Sequence, residues 1–222
     1  MRVLIHACPR RMWYVEEFLV PTLRAQGADD IEVWNDTAGK GNLRSCIESF
    51  AARKGAGGTW HIQDDVLLSA DFVDRCRAAD TGVVYGFCCQ HFMDDPGQSG
   101  MVHLPDAWHS FQCVRIPDAY AREFSEWMST DAQADSLVRA LIEANKGDDY
   151  LFTEFLNQRH AEIMVTNMKP CLVEHIDVLI GGSAVNEWRG YWARAEWFDT
   201  ALVDELRERL QRRANNERTN KA

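Results

Sequence analysis

The sequence is short of several things, and each shortage removes a class of function. No apolar run in its 222 residues approaches the ~18 needed to cross a bilayer, so no membrane partner is expected. Positive charge is scarce. Lys and Arg number 24 against 34 Asp and Glu, a formal net charge of -10, so there is no global basic field to draw in nucleic acid. Cysteine pairs are missing. Cys8, Cys46, Cys76, Cys88, Cys89, Cys113 and Cys171 are odd in number and contain no CxxC. That excludes a disulfide or zinc framework, supports no catalytic cysteine and points to reduced, structural thiols in a cytoplasm. Gly39-Lys40-Gly41 lacks the GxxxxGK[ST] spacing of a P-loop. Arg2-Val3-Leu4-Ile5 reads as a strand, too short and too soon interrupted for a signal peptide. No internal repeat and no clear linker divides the chain.

What is there is an ordinary globular composition, 46% hydrophobic, in a length that fits one large domain with a sizeable core. The organisation alternates. Val3 to Ala7 reads as a strand, and Val15, Phe18, Leu19, Thr22 and Leu23 have helical spacing, with Pro21 as a candidate kink. Ile31 to Trp34 is a second strand, ended by the loop residues Asn35 to Gly41. Leu43 to Arg53 reads as helix, Asp71 to Ala79 as helix and Gly82 to Cys89 as strand. Such alternation predicts an α/β fold with a mostly parallel central sheet and helices on both faces. Ligands then bind outside the carboxyl ends of the strands, where Asp36 and Asp65 fall.

The second half is less regular. Asp94 to Asp106 reads as a long loop, Ser110 to Ile116 as strand and Pro117 to Ser129 as helix. Gly147-Asp148-Asp149 opens a helix containing Leu151, Phe152, Phe155 and Leu156, where two acids also suit the macrodipole. Glu162 to Val165 and Leu172 to Val173 are short strands before His175, and Leu202, Val203, Leu206 and Leu210 mark a last amphipathic helix. Arg212 to Ala222 reads as a frayed polar tail.

The chemistry concentrates at Thr59-Trp60-His61-Ile62-Gln63-Asp64-Asp65-Val66-Leu67-Leu68-Ser69. A buried strand ends by presenting two carboxylates, which are costly to desolvate unless they meet a cation. A divalent metal carrying a diphosphate would satisfy them. The competing reading is a turn in which one acid caps the next helix.

The order of these signals resembles a small GT-A fold glycosyltransferase over residues 1–185. Arg2 to Ser69 resembles the nucleotide-sugar half, Gly147-Asp148-Asp149-Tyr150-Leu151-Phe152 the acidic catalytic motif of inverting members, and Pro170 to His175 the strand delivering a metal-binding histidine. The resemblance implies that Asp65 and His175 are the metal ligands, for Mn²⁺ or Mg²⁺, and that Asp64 holds the ribose or the metal's waters. It implies Asp149 as general base, with Asp148 beside it binding acceptor hydroxyls. Gln63 departs from the pattern, standing where an acid is usual. It implies a Rossmann-like single domain over 1–210, with a donor half (1–100), an acceptor half (101–185) and C-terminal helices (186–210) before a disordered tail (211–222).

The nucleotide pocket is expected at strand ends. Pro9, Arg10 and Arg11 follow the first strand, and Arg44 opens the second helix, where arginine pairs with diphosphate or stacks on a base. Asp36 is a candidate acceptor for a base N–H. Trp108, His109 and Phe111 are candidates for the acceptor floor, whereas Trp188, Tyr191 and Trp192 read as core. The expected function is a cytoplasmic, metal-dependent, inverting transfer from a nucleotide sugar, UDP-sugar favoured. The acceptor is a hydroxyl-bearing small molecule, a glycan or a hydroxymethylated base in bacteriophage DNA; a basic tail (Arg207, Arg209, Arg212, Arg213, Arg218, Lys221) is the feature favouring DNA. The alternatives are another metal-dependent nucleotidyl or phosphoryl transferase, and a non-catalytic nucleotide- or sugar-binding module.

Overall fold

The computed structural model describes residues 1–53, 57–79, 82–86, 101–103, 111–144, 146–162, 164–168, 171–177, 180 and 200–219. Its first elements are β1 (Arg2–Ala7), a 3-10 turn (Pro9–Arg11), α1 (Met12–Tyr14), a π turn (Val15–Leu19) and α2 (Val20–Ala25). The wide π turn lies immediately ahead of Pro21, which has no N–H to give and would crowd the carbonyl four residues back. The helical run therefore continues where the sequence predicts a kink.

There follow β2 (Asp30–Asn35), α3 (Asn42–Ala51), β3 (Gly58–Gln63), β4 (Val66–Leu68), α4 (Phe72–Ala78), β5 (Val83–Tyr85) and β6 (Met101–His103). The second half gives β7 (Cys113–Pro117), α5 (Asp118–Thr130), α6 (Ala132–Glu143), α7 (Asp148–Arg159), β8 (Met164–Asn167), β9 (Val173–His175) and α8 (Thr200–Thr219).

Seven strands form one sheet in the order β2-β1-β3-β7-β5-β8-β6. The pairs β1 with β2, β1 with β3 and β5 with β8 are parallel, while β7 and β6 run against their neighbours. Five strands thus share one direction, as expected of an α/β fold, but β7 is inserted antiparallel at the centre. The donor and acceptor halves read from the sequence interleave in this sheet, because β7 sits between β3 and β5. Alternation along each strand divides the core between the two faces. Val3, Ile5, Trp60 and Ile62 pack with Tyr14, Phe18, Leu23, Phe72 and Leu206. Val83, Tyr85, Val114 and Ile116 pack on the opposite side with Phe50, Phe124, Val138 and Phe152. Helices therefore cover both faces.

Three expectations are corrected. Residues 101–103 within the predicted loop are strand β6, and the rest of that stretch lies outside the described residues. The helix read as ending at Leu210 continues to Thr219, so most of the predicted tail is helical. Phe111 is not an acceptor floor: it is 1% exposed and packs on Phe50, His61 and Phe152. Trp108, His109, Trp188, Tyr191 and Trp192 lie outside the described residues. No described helix is long and apolar enough to cross a membrane.

Candidate functional site

Strand β3 runs parallel to β1, so Gln63, Asp64 and Asp65 emerge at the carboxyl edge of the sheet, beside the turn that follows β1. The Asp64 N–H donates to the His6 carbonyl at 3.0 Å, extending the ladder by one bond. The chain then turns into β4, which pairs antiparallel with β9 as a separate two-stranded sheet. In that register Val66 faces His175, and the Ile176 N–H donates to the Asp65 carbonyl at 2.8 Å. The small sheet is what brings His175 to the acidic pair from far along the chain.

Both acids are buried, Asp64 at 4% and Asp65 at 6% exposure. His175 Nε2 lies 3.4 Å from Asp65 Oδ2, and Asp177 Oδ1 lies 3.9 Å from His175 Nδ1. Arg11, itself buried, lies on both acids: Nη1 is 2.6 Å from Asp64 Oδ1 and also donates to Asp65 Oδ2. Asp64 Oδ2 accepts the Cys8 N–H at 2.7 Å. Burial pushes Asp65 up, but His175 and Arg11 more than offset it, leaving its carboxyl at about 2. Asp64 goes the other way, raised by burial and then by Asp65. Burial pulls His175 down, and Asp65 and Asp177 reverse this to a net rise.

Asp65 and His175 are candidate ligands for a divalent cation, although Arg11 already lies on both acids. Asp65 Oδ1 is buried without a hydrogen-bond partner. Asp177 stands behind the imidazole on the side where a carboxylate orients a ligating histidine, but at 3.9 Å it acts on His175 by charge and not by a hydrogen bond. Because His175 holds its proton more tightly than usual, cation binding there would release a proton and weaken as pH falls.

A second polar cluster lies against α3, and sequence reasoning missed it. His6 on β1, His61 on β3 and Asp148 at the start of α7 bring one ligand-type atom each to within 4.8 Å of one another, close enough to hold a metal. His6 Nε2 is 2.9 Å from Ser45 Oγ. Burial lowers His6 to about 4 and His61 well below its ordinary value. Asp148 accepts from Asn42 Nδ2 at 2.9 Å and from Gln63 Nε2 at 3.3 Å on each oxygen. Its carboxyl is pushed up to about 7, by burial first and by Asp149 second. Against a metal stands Arg53, whose Nη2 lies 3.3 Å from His61 Nδ1. A ligating imidazole uses that second nitrogen to donate, and a guanidinium offers it no acceptor. Each histidine alone reads as a core residue in an apolar strand; the only signal was their shared strand face, which needs the β1–β3 register to be seen.

The remaining candidates scatter. Asp36 sits at the carboxyl end of β2, but its two oxygens accept the Lys40 and Gly41 N–H groups at 2.9 and 2.8 Å, holding the loop into α3. Gly41, at φ 85°, supplies the left-handed backbone that this loop requires. Pro9, Arg10 and Arg44 are exposed. Asp149 is half-buried and its Oδ1 accepts the Tyr150 N–H at 2.9 Å. Gln63, the departure from the acidic pattern, is explained by its contact: an acid there would face the buried Asp148 carboxyl. No family model matches this chain and no curated protein matches it, so a functional reading stands on this geometry.

Proposed function

We propose that this chain is a metal-dependent, inverting glycosyltransferase of the GT-A type, which takes a sugar from a nucleoside diphosphate, UDP favoured, to an acceptor hydroxyl. The observation that carries the reading is the convergence of Asp65 and His175, 3.4 Å apart at the carboxyl edge of the sheet, with Asp148 of the second acidic pair bonded to Gln63, two residues before Asp65. Arg11 and the exposed Arg10 border the same edge and suit a diphosphate. Mn²⁺ or Mg²⁺ bound at Asp65 and His175 would neutralise the charge growing on the leaving diphosphate.

The two acids of α7 divide the remaining work. Asp149, the more exposed, takes the proton of the attacking hydroxyl. Asp148, 3% exposed and held by Asn42 and Gln63, fixes the first turn that carries it. Because the base removes a proton during direct attack from the far side, the anomeric configuration inverts.

The test is a screen of nucleotide sugars with Mn²⁺, read first as binding and then as hydrolysis without acceptor. The expected result is Mn²⁺-dependent binding and slow release of a nucleoside diphosphate, both abolished by Asp65→Ala. Binding of equal strength with and without EDTA would sink the reading. Cleavage that leaves the sugar on a phosphate would move it to phosphoryl or nucleotidyl transfer.

A further inference from the structure

Arg11 stands where the cation's own electrostatics should act. One nitrogen, Nη1, is bound to an oxygen of Asp64 and an oxygen of Asp65. The Asp65 oxygen it holds, Oδ2, is the one nearest His175 Nε2. Two carboxylates therefore already have a resident monocation, and it is buried with them. A divalent cation on Asp65 and His175 would add two positive charges beside this guanidinium in a site where neighbouring charges are poorly screened. Asp64 and Asp65 bring two negative charges against three positive ones, and Asp177 sits at the other ring nitrogen of His175, so the two acids alone cannot balance both. The arriving diphosphate can, because it brings the missing negative charge and flat pairs of oxygens that a guanidinium grips bidentately. Arg11 ends the turn that follows β1, at the same sheet edge as the acids, so it needs no movement of the sheet to turn from one anion to the other.

We propose, resting on the metal-dependent reading above, that Arg11 is an exchangeable counter-ion. It neutralises Asp64 and Asp65 when the site is free, yields Asp65 to the divalent cation, and transfers to the diphosphate. Cation and nucleoside diphosphate then bind cooperatively, because each is favoured by the displacement the other stabilises. A bare cation is resisted by Arg11, and a bare diphosphate must pull Arg11 from two buried acids. The site thereby selects the cation–diphosphate complex over either part.

The test is Mn²⁺ affinity, measured by calorimetry on the full chain with and without UDP, for wild type, Arg11→Gln and Arg11→Lys. In wild type, UDP should tighten Mn²⁺ by about tenfold or more, within the usual range of coupling between sites. Arg11→Gln should bind Mn²⁺ alone about tenfold more tightly than wild type, while Mn²⁺-UDP affinity drops and the coupling shrinks. Arg11→Lys keeps the charge without the fork, so its Mn²⁺ affinity stays near wild type and only the UDP arm weakens; it also serves if Arg11→Gln does not fold, since full wild-type coupling in the lysine variant would then overturn the exchange. Unchanged Mn²⁺ affinity in a folded Arg11→Gln overturns it too and makes Arg11 a permanent structural partner. Absence of Mn²⁺ binding in all three proteins overturns both the exchange and the metal reading, a result distinct from the preceding one.

Discussion

Asp148 holds its proton up to about pH 7 because burial, and next Asp149, oppose its ionisation. Its folded pKa is thus raised, and the native state binds a proton that the unfolded chain has already released. The contribution of this group to stability is complete below its ordinary value near 4 and is lost as pH rises to about 7. Asp148→Asn removes that loss. Urea denaturation at pH 4.5 and 8 should show the variant gaining on wild type at the higher pH; a difference independent of pH would mean that Asp148 titrates like an exposed acid. Asp149 carries a separate prediction. If it is the base, Asp149→Asn should cut turnover by roughly 10²–10⁴-fold while nucleotide-sugar binding survives. If it merely favours the helix start, asparagine serves as well there and activity persists. Single-turnover rates beside binding constants decide between the two. Arg11 has its own weight at this scale: removing one member of a buried ion-pair cluster costs about 3–5 kcal/mol.

Among the elements, the junction of β5, β7 and the approach to β9 has no spare volume. A methyl group on Gly86 would lie 2.7 Å from Cys113 Sγ and 2.9 Å from Leu172 Cδ1. Gly86 also donates to the Cys113 carbonyl at 2.9 Å and accepts from Leu172 N–H at 2.6 Å, so its backbone cannot retreat. Gly86→Ala should destabilise by about 1–3 kcal/mol through overpacking, read as a lower denaturation midpoint with an unchanged slope. This junction was not legible in the sequence, and neither was the direction of β7. Cys113 to Pro117 has the pattern of a buried strand whichever way it runs, so periodicity cannot tell an inserted antiparallel strand from a parallel one. The early alternation was legible, because β1, β2, β3 and the helices between them each carry a local signal. That Asp65 and His175 meet was expected only from the order of motifs in the resemblance, since the pairing that brings them together leaves no local signal. What local pattern could not carry was pairing at long range: the β4–β9 register, the His6–His61 face and the hold of Arg11 on both acids. Helix α6 (Ala132–Glu143) has no counterpart in the sequence reading.

For the whole molecule, the charge balance bears on the acceptor. In α8, Arg207 pairs with Asp204 at 3.1 Å, Arg209 with Glu205 at 3.1 Å and also with Glu17, and Arg212 with Glu208 at 3.9 Å. These three side chains are neutralised along their own helix and against the π turn; Lys221 and the side chains of Arg213 and Arg218 lie outside what the structure describes. With a formal net charge of -10, duplex DNA should bind no tighter than roughly 10⁻⁴ M at physiological salt. Fluorescence anisotropy at two salt concentrations checks this; micromolar binding with a steep salt slope would restore DNA as the acceptor. The interleaved sheet also has a consequence for synthesis on the ribosome. β3 gains its second neighbour only when β7 has been made, and β4 gains its partner only with Val173 to His175. Pairings this distant in sequence form late and slowly. A nascent chain that stalls before β9 exposes the apolar Val66-Leu67-Leu68 edge beside two acids without their histidine. Such a fragment offers quality-control proteases a cleavable strand, so premature termination yields waste and not a partly assembled site.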